Sequence, residues 1–160
     1  MILEIKIYPD DILRQPCADV ERINEETVAL ADNMLETMYK NNGVGLAAPQ
    51  IGILQRIIVI DVGQGPIVLF NPKILKKIGK TDSEEGCLSI PGITLKVKRA
   101  ERVEAEGLDK NNQKIGIKAK GYLAYALQHE IDHLNGILIL DRIGIWEKLK
   151  RKKLLRKLGK

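Results

Sequence analysis

Histidine and cysteine are scarce in this 160-residue chain, with two of each. Two cysteines cannot build a disulfide scaffold, and a chain of this length does not need one, because it can bury roughly 70% of the surface exposed by its unfolded form. No apolar run approaches the roughly 20 residues of a membrane span, so no membrane partner is expected. The start, MILEIKIYPDDILRQP, lacks the basic opening, apolar segment and cleavage site of a secretory leader. It is also too acidic, and too short of Arg and Ser, for a transit peptide. These absences point to a reducing, cytoplasmic setting, where a cysteine is more often a ligand or a nucleophile than half of a disulfide. Internal repeats and low-complexity linkers are absent as well. What is present is an ordinary globular balance of 44% hydrophobic and 29% charged residues, sized for one domain.

The net charge of +5 is not spread evenly. Residues 145–160 hold eight basic residues and one acid, Glu147, whereas the other 144 residues hold 18 basic and 20 acidic ones. The chain therefore divides into a slightly acidic unit, 1–144, and a basic helical tail, 145–160, that is not an independent domain. Within the tail, Ile145, Trp146 and Leu149 share one helical face, and Leu154, Leu155 and Leu158 fall on another. The first part is expected to pack on the domain and the last turns to be freer.

Asn24 reads as a helix cap. Val28, Ala31, Leu35 and Met38 follow at helical spacing, and the Asn-Asn-Gly at 41–43 ends the helix. RIIVIDV (56–62) is a continuous β-branched run, hence a buried strand, and IVLFNP (67–72) is a second strand stopped by its proline. Alternation at Val103 and Ala105, a turn at Asp109–Asn112 and alternation at Ile115 and Ile117 predict a hairpin. Gly121 precedes a helix over about Tyr122–Asn135, with Gly136 as its stop. Helix, several strands, then helices implies an α+β fold with antiparallel sheets.

Both histidines lie in QHEIDH (128–133). Four residues are close to one helical turn, so His129 and His133 leave the same face and can meet one ion. Glu130, beside a ligand, can serve as general base in this HExxH pattern. A chance pair of histidines on an ordinary helix is the competing reading. One downstream route to the third ligand is closed: in HEIDHLNGILI the position that carries a histidine in one group of zinc proteases is Ile139. Glu147, in the basic tail, is a weak candidate. Cys17, in RQPCADV, reads as a buried structural thiol. Two readings stand for Cys87, in SEEGCLSIPG: an inert buried thiol, or a thiolate completing a Cys/His₂ site with one position open for water. GVGLAAPQIG (43–52) is either a plain helix-to-strand connection or a loop whose backbone approaches a ligand. It is not a phosphate loop, because no Gly-Lys-Ser/Thr follows. Gln50 there can donate an amide N–H to an oxyanion.

GVGLAAPQ at 43–50, EGCLS at 85–89 and QHEIDH at 128–133 together resemble the three signature motifs of the peptide deformylases, in family order and at family-like spacing. YPDDILRQPC and LNGILILDRI resemble the family as well, so the likeness extends to about Ile143. The resemblance implies antiparallel sheets packed around a central HExxH-bearing helix. It implies Cys87, His129 and His133 as metal ligands, Glu130 as the acid/base, and Gln50 with the Leu88 backbone N–H as oxyanion donors. Gly45 would hold the substrate backbone, and Val44, Tyr122 and Tyr125 are candidates to line a methionine pocket. Core packing is the alternative for the two tyrosines. The implied reaction removes the formyl group from N-formyl-Met nascent peptides with one divalent metal per chain, Fe²⁺ in the cell and Zn²⁺, Ni²⁺ or Co²⁺ in purified protein. A ribosome or rRNA contact through Lys148–Lys160 is a further expected partner, and DNA is not. One departure is Gly92-Ile93-Thr94, where many bacterial relatives carry an arginine that helps hold the peptide. The competing functions are an HExxH zinc peptidase and a ribosome-associated binding protein with a structural metal.

Overall fold

The computed structural model describes residues 1–159. Helix α1 (Glu25–Lys40) begins at Asn24, whose side chain accepts from the Thr27 N–H while Thr27 Oγ1 accepts from the Asn24 N–H. This reciprocal cap satisfies two otherwise orphaned donors. Its buried face is Ala31, Met34, Thr37 and Met38, so Val28 and Leu35 lie at the edge of the stripe, not in its centre.

The strands form a five-stranded antiparallel sheet in the order β1 (Gly45–Ala47), β2 (Ile57–Ile60), β3 (Ile67–Ile78), β6 (Arg102–Leu108), β7 (Lys114–Lys120). β4 (Thr81–Cys87) and β5 (Ile90–Arg99) make a separate two-stranded sheet. The unbroken Ile-Ile-Val-Ile of β2 is explained by burial on both faces. Ile57 and Val59 pack with Met34 and Met38 of α1, while Ile58 and Ile60 pack with Leu127 and Ile131 of α2 (Tyr122–Leu134). Successive strand residues point to opposite faces, so an apolar residue is required at every position.

Three expectations need correction. β3 does not stop at Pro72: Asn71 takes a left-handed φ of +52°, and the pairing with β6 slips between Phe70 and Lys73. Pro72 therefore sits in a bulge, where the ladder asks for no N–H, and the strand runs on to Ile78. Cys87, whose neighbours in SEEGCLSIPG read as turn-forming, lies in a strand. It ends β4, across a two-residue turn from Ile90.

The tail, α3 (Ile145–Leu158), packs the opposite way round. Ile145, Trp146 and Leu149 are exposed at 63%, 77% and 49%, whereas Leu155 and Leu158 pack against a cluster of Leu13, Ile90, Leu138 and Leu140. The helix crosses the N-terminal segment at its far end, and its Leu155 side meets Tyr8 and Leu140 there. Lys160, the last residue of the predicted basic stretch, lies outside the described residues.

Candidate active site

A cleft of about 1080 Å³ opens between the edge strand β1, the β4–β5 turn and α2. One ligand atom each from Cys87, His129 and His133 lie within 4.8 Å of one another. Cys87 Sγ is 3.3 Å from His133 Nε2, and the two imidazole centroids are 5.0 Å apart. Helix α2 is almost wholly buried from Ala126 onward, so the histidine rotamers are held by packing.

His129 Nδ1 lies 2.8 Å from Glu85 Oε2, so with Nδ1 as the donor its Nε2 is free to face the cluster. Burial disfavours the Glu85 charge, yet the hydrogen bonds from Arg99 and His129 outweigh it and hold that carboxyl at about 2. Burial, together with the neighbouring His129, keeps His133 well below its ordinary pKa, the neutral condition in which an imidazole offers a lone pair. Burial pushes Glu130 up to about 7. Glu130 Oε2 and His133 Nδ1 are buried without a hydrogen-bond partner among the described residues. An orphaned carboxylate oxygen at the floor of a cleft fits a group that hands protons to a substrate. Gly45 lies directly under this carboxylate, and a Cβ there would overlap it.

Gln50 is oriented from behind: its Oε1 accepts from the Ala47 N–H at 2.8 Å. The amide nitrogen consequently faces Cys87 Sγ at 3.5 Å and Ser89 Oγ at 3.2 Å. Leu88, Val44, Gly45, Tyr122 and Tyr125 all line the same cleft, with Tyr122 81% exposed at its rim and edge-on to Tyr125. Gly92, Ile93 and Thr94 form part of the opposite wall. Glu147 is elsewhere, paired with Arg151 at 3.1 Å. Cys17 is half-buried, packing against the core cluster that includes Leu127 and Leu134, where burial raises its thiol to about 11, and it lies outside the ligand cluster.

Sequence reasoning did not find Glu85, Arg99, Asp132 or Arg142. Their signal was faint: Ser83 and Glu85 alternate inward along β4, which looks like an ordinary polar stretch.

The donor set of one thiol and two imidazoles, with no fourth protein ligand among the described residues, fits a divalent ion with an open position. Open positions belong to catalytic metal sites, not structural ones, so the fold and the site define a metal-dependent hydrolase. The family model for polypeptide deformylase matches residues 2–149, and the chain belongs to that family. It is 54% identical over 148 residues to a peptide deformylase of Thermodesulfovibrio yellowstonii, covering 89% of this chain and 90% of that one. The fold superposes on the crystal structure of a peptide deformylase from Legionella pneumophila with a TM-score of 0.94 at 41% identity, over 99% of this chain and 96% of that one. A peptide deformylase from Synechococcus elongatus, crystallised in complex with actinonin, gives 0.92 at 45% identity over 98% and 86%.

Proposed function

We propose that the chain removes the N-terminal formyl group from formyl-methionyl nascent polypeptides and releases formate. The observation that carries this reading is the convergence of Cys87, His129 and His133 beside the buried, unpartnered Glu130. These three residues would hold one divalent ion, Fe²⁺ in the cell, with Zn²⁺, Co²⁺ or Ni²⁺ able to take the same ligands. When bound, the ion supplies a water acidified to near neutrality and a Lewis acid for the formyl carbonyl.

The protein's own groups do the rest. Glu130, raised toward neutrality by burial, takes a proton from the attacking water and returns it to the leaving amine. The Gln50 amide and the Leu88 N–H donate to the oxyanion. Gly45, on the free edge of β1, pairs with the substrate backbone, and its missing side chain leaves room for Glu130. Val44, Tyr122 and Tyr125 receive the methionine side chain. Residues 1–144 carry the chemistry. The cationic α3 is an appended docking element for ribosomal RNA in the cytoplasm, because a dense line of lysines and arginines favours a phosphate backbone. Among the described residues no helix is long and apolar enough to cross a membrane.

The test is turnover of formyl-Met-Ala against unformylated Met-Ala, with metal content measured on the same sample. Formate release with one metal per chain is expected. Cleavage of the unformylated peptide bond would mark a zinc peptidase instead, and bound metal without turnover of either substrate would mark a binding protein with a structural metal.

A further inference from the structure

Resting on the metal-site reading above, we propose that Arg99 is a positioning residue that sets the spacing between two separately built halves of that site. Cys87 stands at the tip of the β4–β5 hairpin, which shares no ladder with the five-stranded sheet. His129 and His133 stand on α2, which packs on the larger sheet. Among the described residues no backbone hydrogen bond joins the hairpin directly to α2; the backbone link runs through the N-terminal segment, where the Tyr8 N–H donates to the Ser89 carbonyl and the Cys17 N–H to the Leu134 carbonyl, whereas a working site must be held to within about 0.5 Å.

Arg99 touches both halves. It lies on the inner face of the hairpin, with only 3% of its side chain exposed. Its Nε and Nη2 donate to the two oxygens of Glu85, both at 2.8 Å, and its Nη1 donates to Asp132 Oδ2 at 2.6 Å. Glu85 precedes Cys87 by two residues, and Asp132 adjoins His133. Glu85 Oε2 is also the atom that faces His129 Nδ1. One guanidinium thus fixes a carboxylate next to the thiol, a carboxylate next to one imidazole, and, through Glu85, the ring of the other imidazole.

The neighbouring backbone is stitched to the same helix. Gln128 Oε1 accepts from the Ala100 N–H and Gln128 Nε2 donates to the Ala100 carbonyl, each at 2.9 Å. Arg142 completes Asp132 with donors at 3.0 and 2.6 Å, so two cations face two anions. A buried ion network of this kind is a weak source of stability, because apolar residues of similar volume often serve as well. An apolar residue could not orient Glu85 against His129. Lysine could not do so either, since the contact uses three donors of a planar fork in fixed directions.

The experiment is Co²⁺ binding by the full-length, metal-stripped protein and its Arg99→Lys variant. Binding is followed by calorimetry and by the thiolate-to-cobalt charge-transfer absorption, beside thermal unfolding of the metal-free proteins. Arg99→Lys is expected to bind Co²⁺ 10–100-fold more weakly, with a weakened charge-transfer band, while the metal-free protein still unfolds cooperatively. Asp132→Asn cuts only the α2 end of the bracket. It should shift affinity in the same direction and keeps the proposal testable where Arg99→Lys does not fold. Undiminished Co²⁺ affinity in the folded variants would overturn the positioning role and leave Arg99 a stability element. Cys87→Ala separates this from the parent reading: a Cys87→Ala protein that still takes one Co²⁺ per chain overturns the metal site itself.

Discussion

Helices α2 and α3 are nearly equal in length, 13 and 14 residues, and opposite in character. Ten residues of α2 are buried and none of α3 is. From Ala126 onward in α2 the side chains are held by packing, so a pattern such as His129 and His133 at i and i+4 becomes a fixed distance. In α3 two leucines, Leu155 and Leu158, anchor a surface that is otherwise charge and exposed apolar side chains. Precise chemistry belongs to the first environment. The second environment offers exposed charge and no fixed geometry.

The largest effects should come from the α2 cluster and its thiol. Cys87→Ala should lose both metal and deformylation, while Cys17→Ala keeps both, as metal analysis and a formate assay would report. Glu130→Gln should retain metal and lose roughly 10²–10⁴-fold in turnover. Loss of metal in Glu130→Gln would make that residue a ligand and break the division of labour along α2.

Packing sharpens the contrast next. Leu127→Ala removes a fully buried side chain from the core between α2 and the sheet and should destabilise by about 2–5 kcal/mol in urea unfolding. Leu155→Ala, at a half-buried position, should fall near or below about 1 kcal/mol. Equal losses would mean that α3 is as integral to the fold as α2.

Acid should act on the carboxylate that faces His129 of α2. The folded Glu85 carboxyl sits at about 2, below its ordinary 4.5. Its contribution is therefore complete above about pH 4.5 and is lost as pH falls toward 2. Metal-free protein should destabilise across that window, and Glu85→Gln should flatten the slope. An unchanged slope in Glu85→Gln would remove the buried carboxylate from the acid response.

The smallest effect on chemistry should come from deleting residues 150–160. Formyl-Met-Ala turnover should stay nearly unchanged, while ribosome co-sedimentation weakens and full-length binding falls with salt. Salt-insensitive binding, or equal binding by the truncated chain, would reduce α3 to a solvated face.

The same contrast decides what could be read from sequence. The α2 cluster was legible because helical periodicity converts spacing directly into geometry. The β4–β5 hairpin was not, because its inward residues on β4 are Ser83 and Glu85 instead of alternating hydrophobics. Their burial makes sense only once Arg99, fourteen residues after Glu85, is seen to satisfy it. β3 was truncated at Pro72 because nothing local announces the positive φ at Asn71, which is held by hydrogen bonds to the backbone of Val20, fifty-one residues away. The two faces of α3 were assigned the wrong way round, and of the three leucines placed on the second face Leu155 and Leu158 pack while Leu154 is 40% exposed. Helical spacing says which leucines travel together, and only the tertiary path of the chain says which set meets Leu140 and Tyr8.

The two margins of the five-stranded sheet carry a consequence for self-association. An unpaired margin is an invitation to any extended chain, including a second copy of the same protein. On the β7 side Lys114, Lys118 and Lys120 are all exposed, so two such margins brought together would face charge against charge. On the β1 side the margin is only three residues long and lies beside the cleft, too short a ladder to hold a folded neighbour's strand by itself. A thin, flexible chain end can still reach it. Charge at one margin and shortness at the other thus both count against β-stacking between copies, by two different physical means.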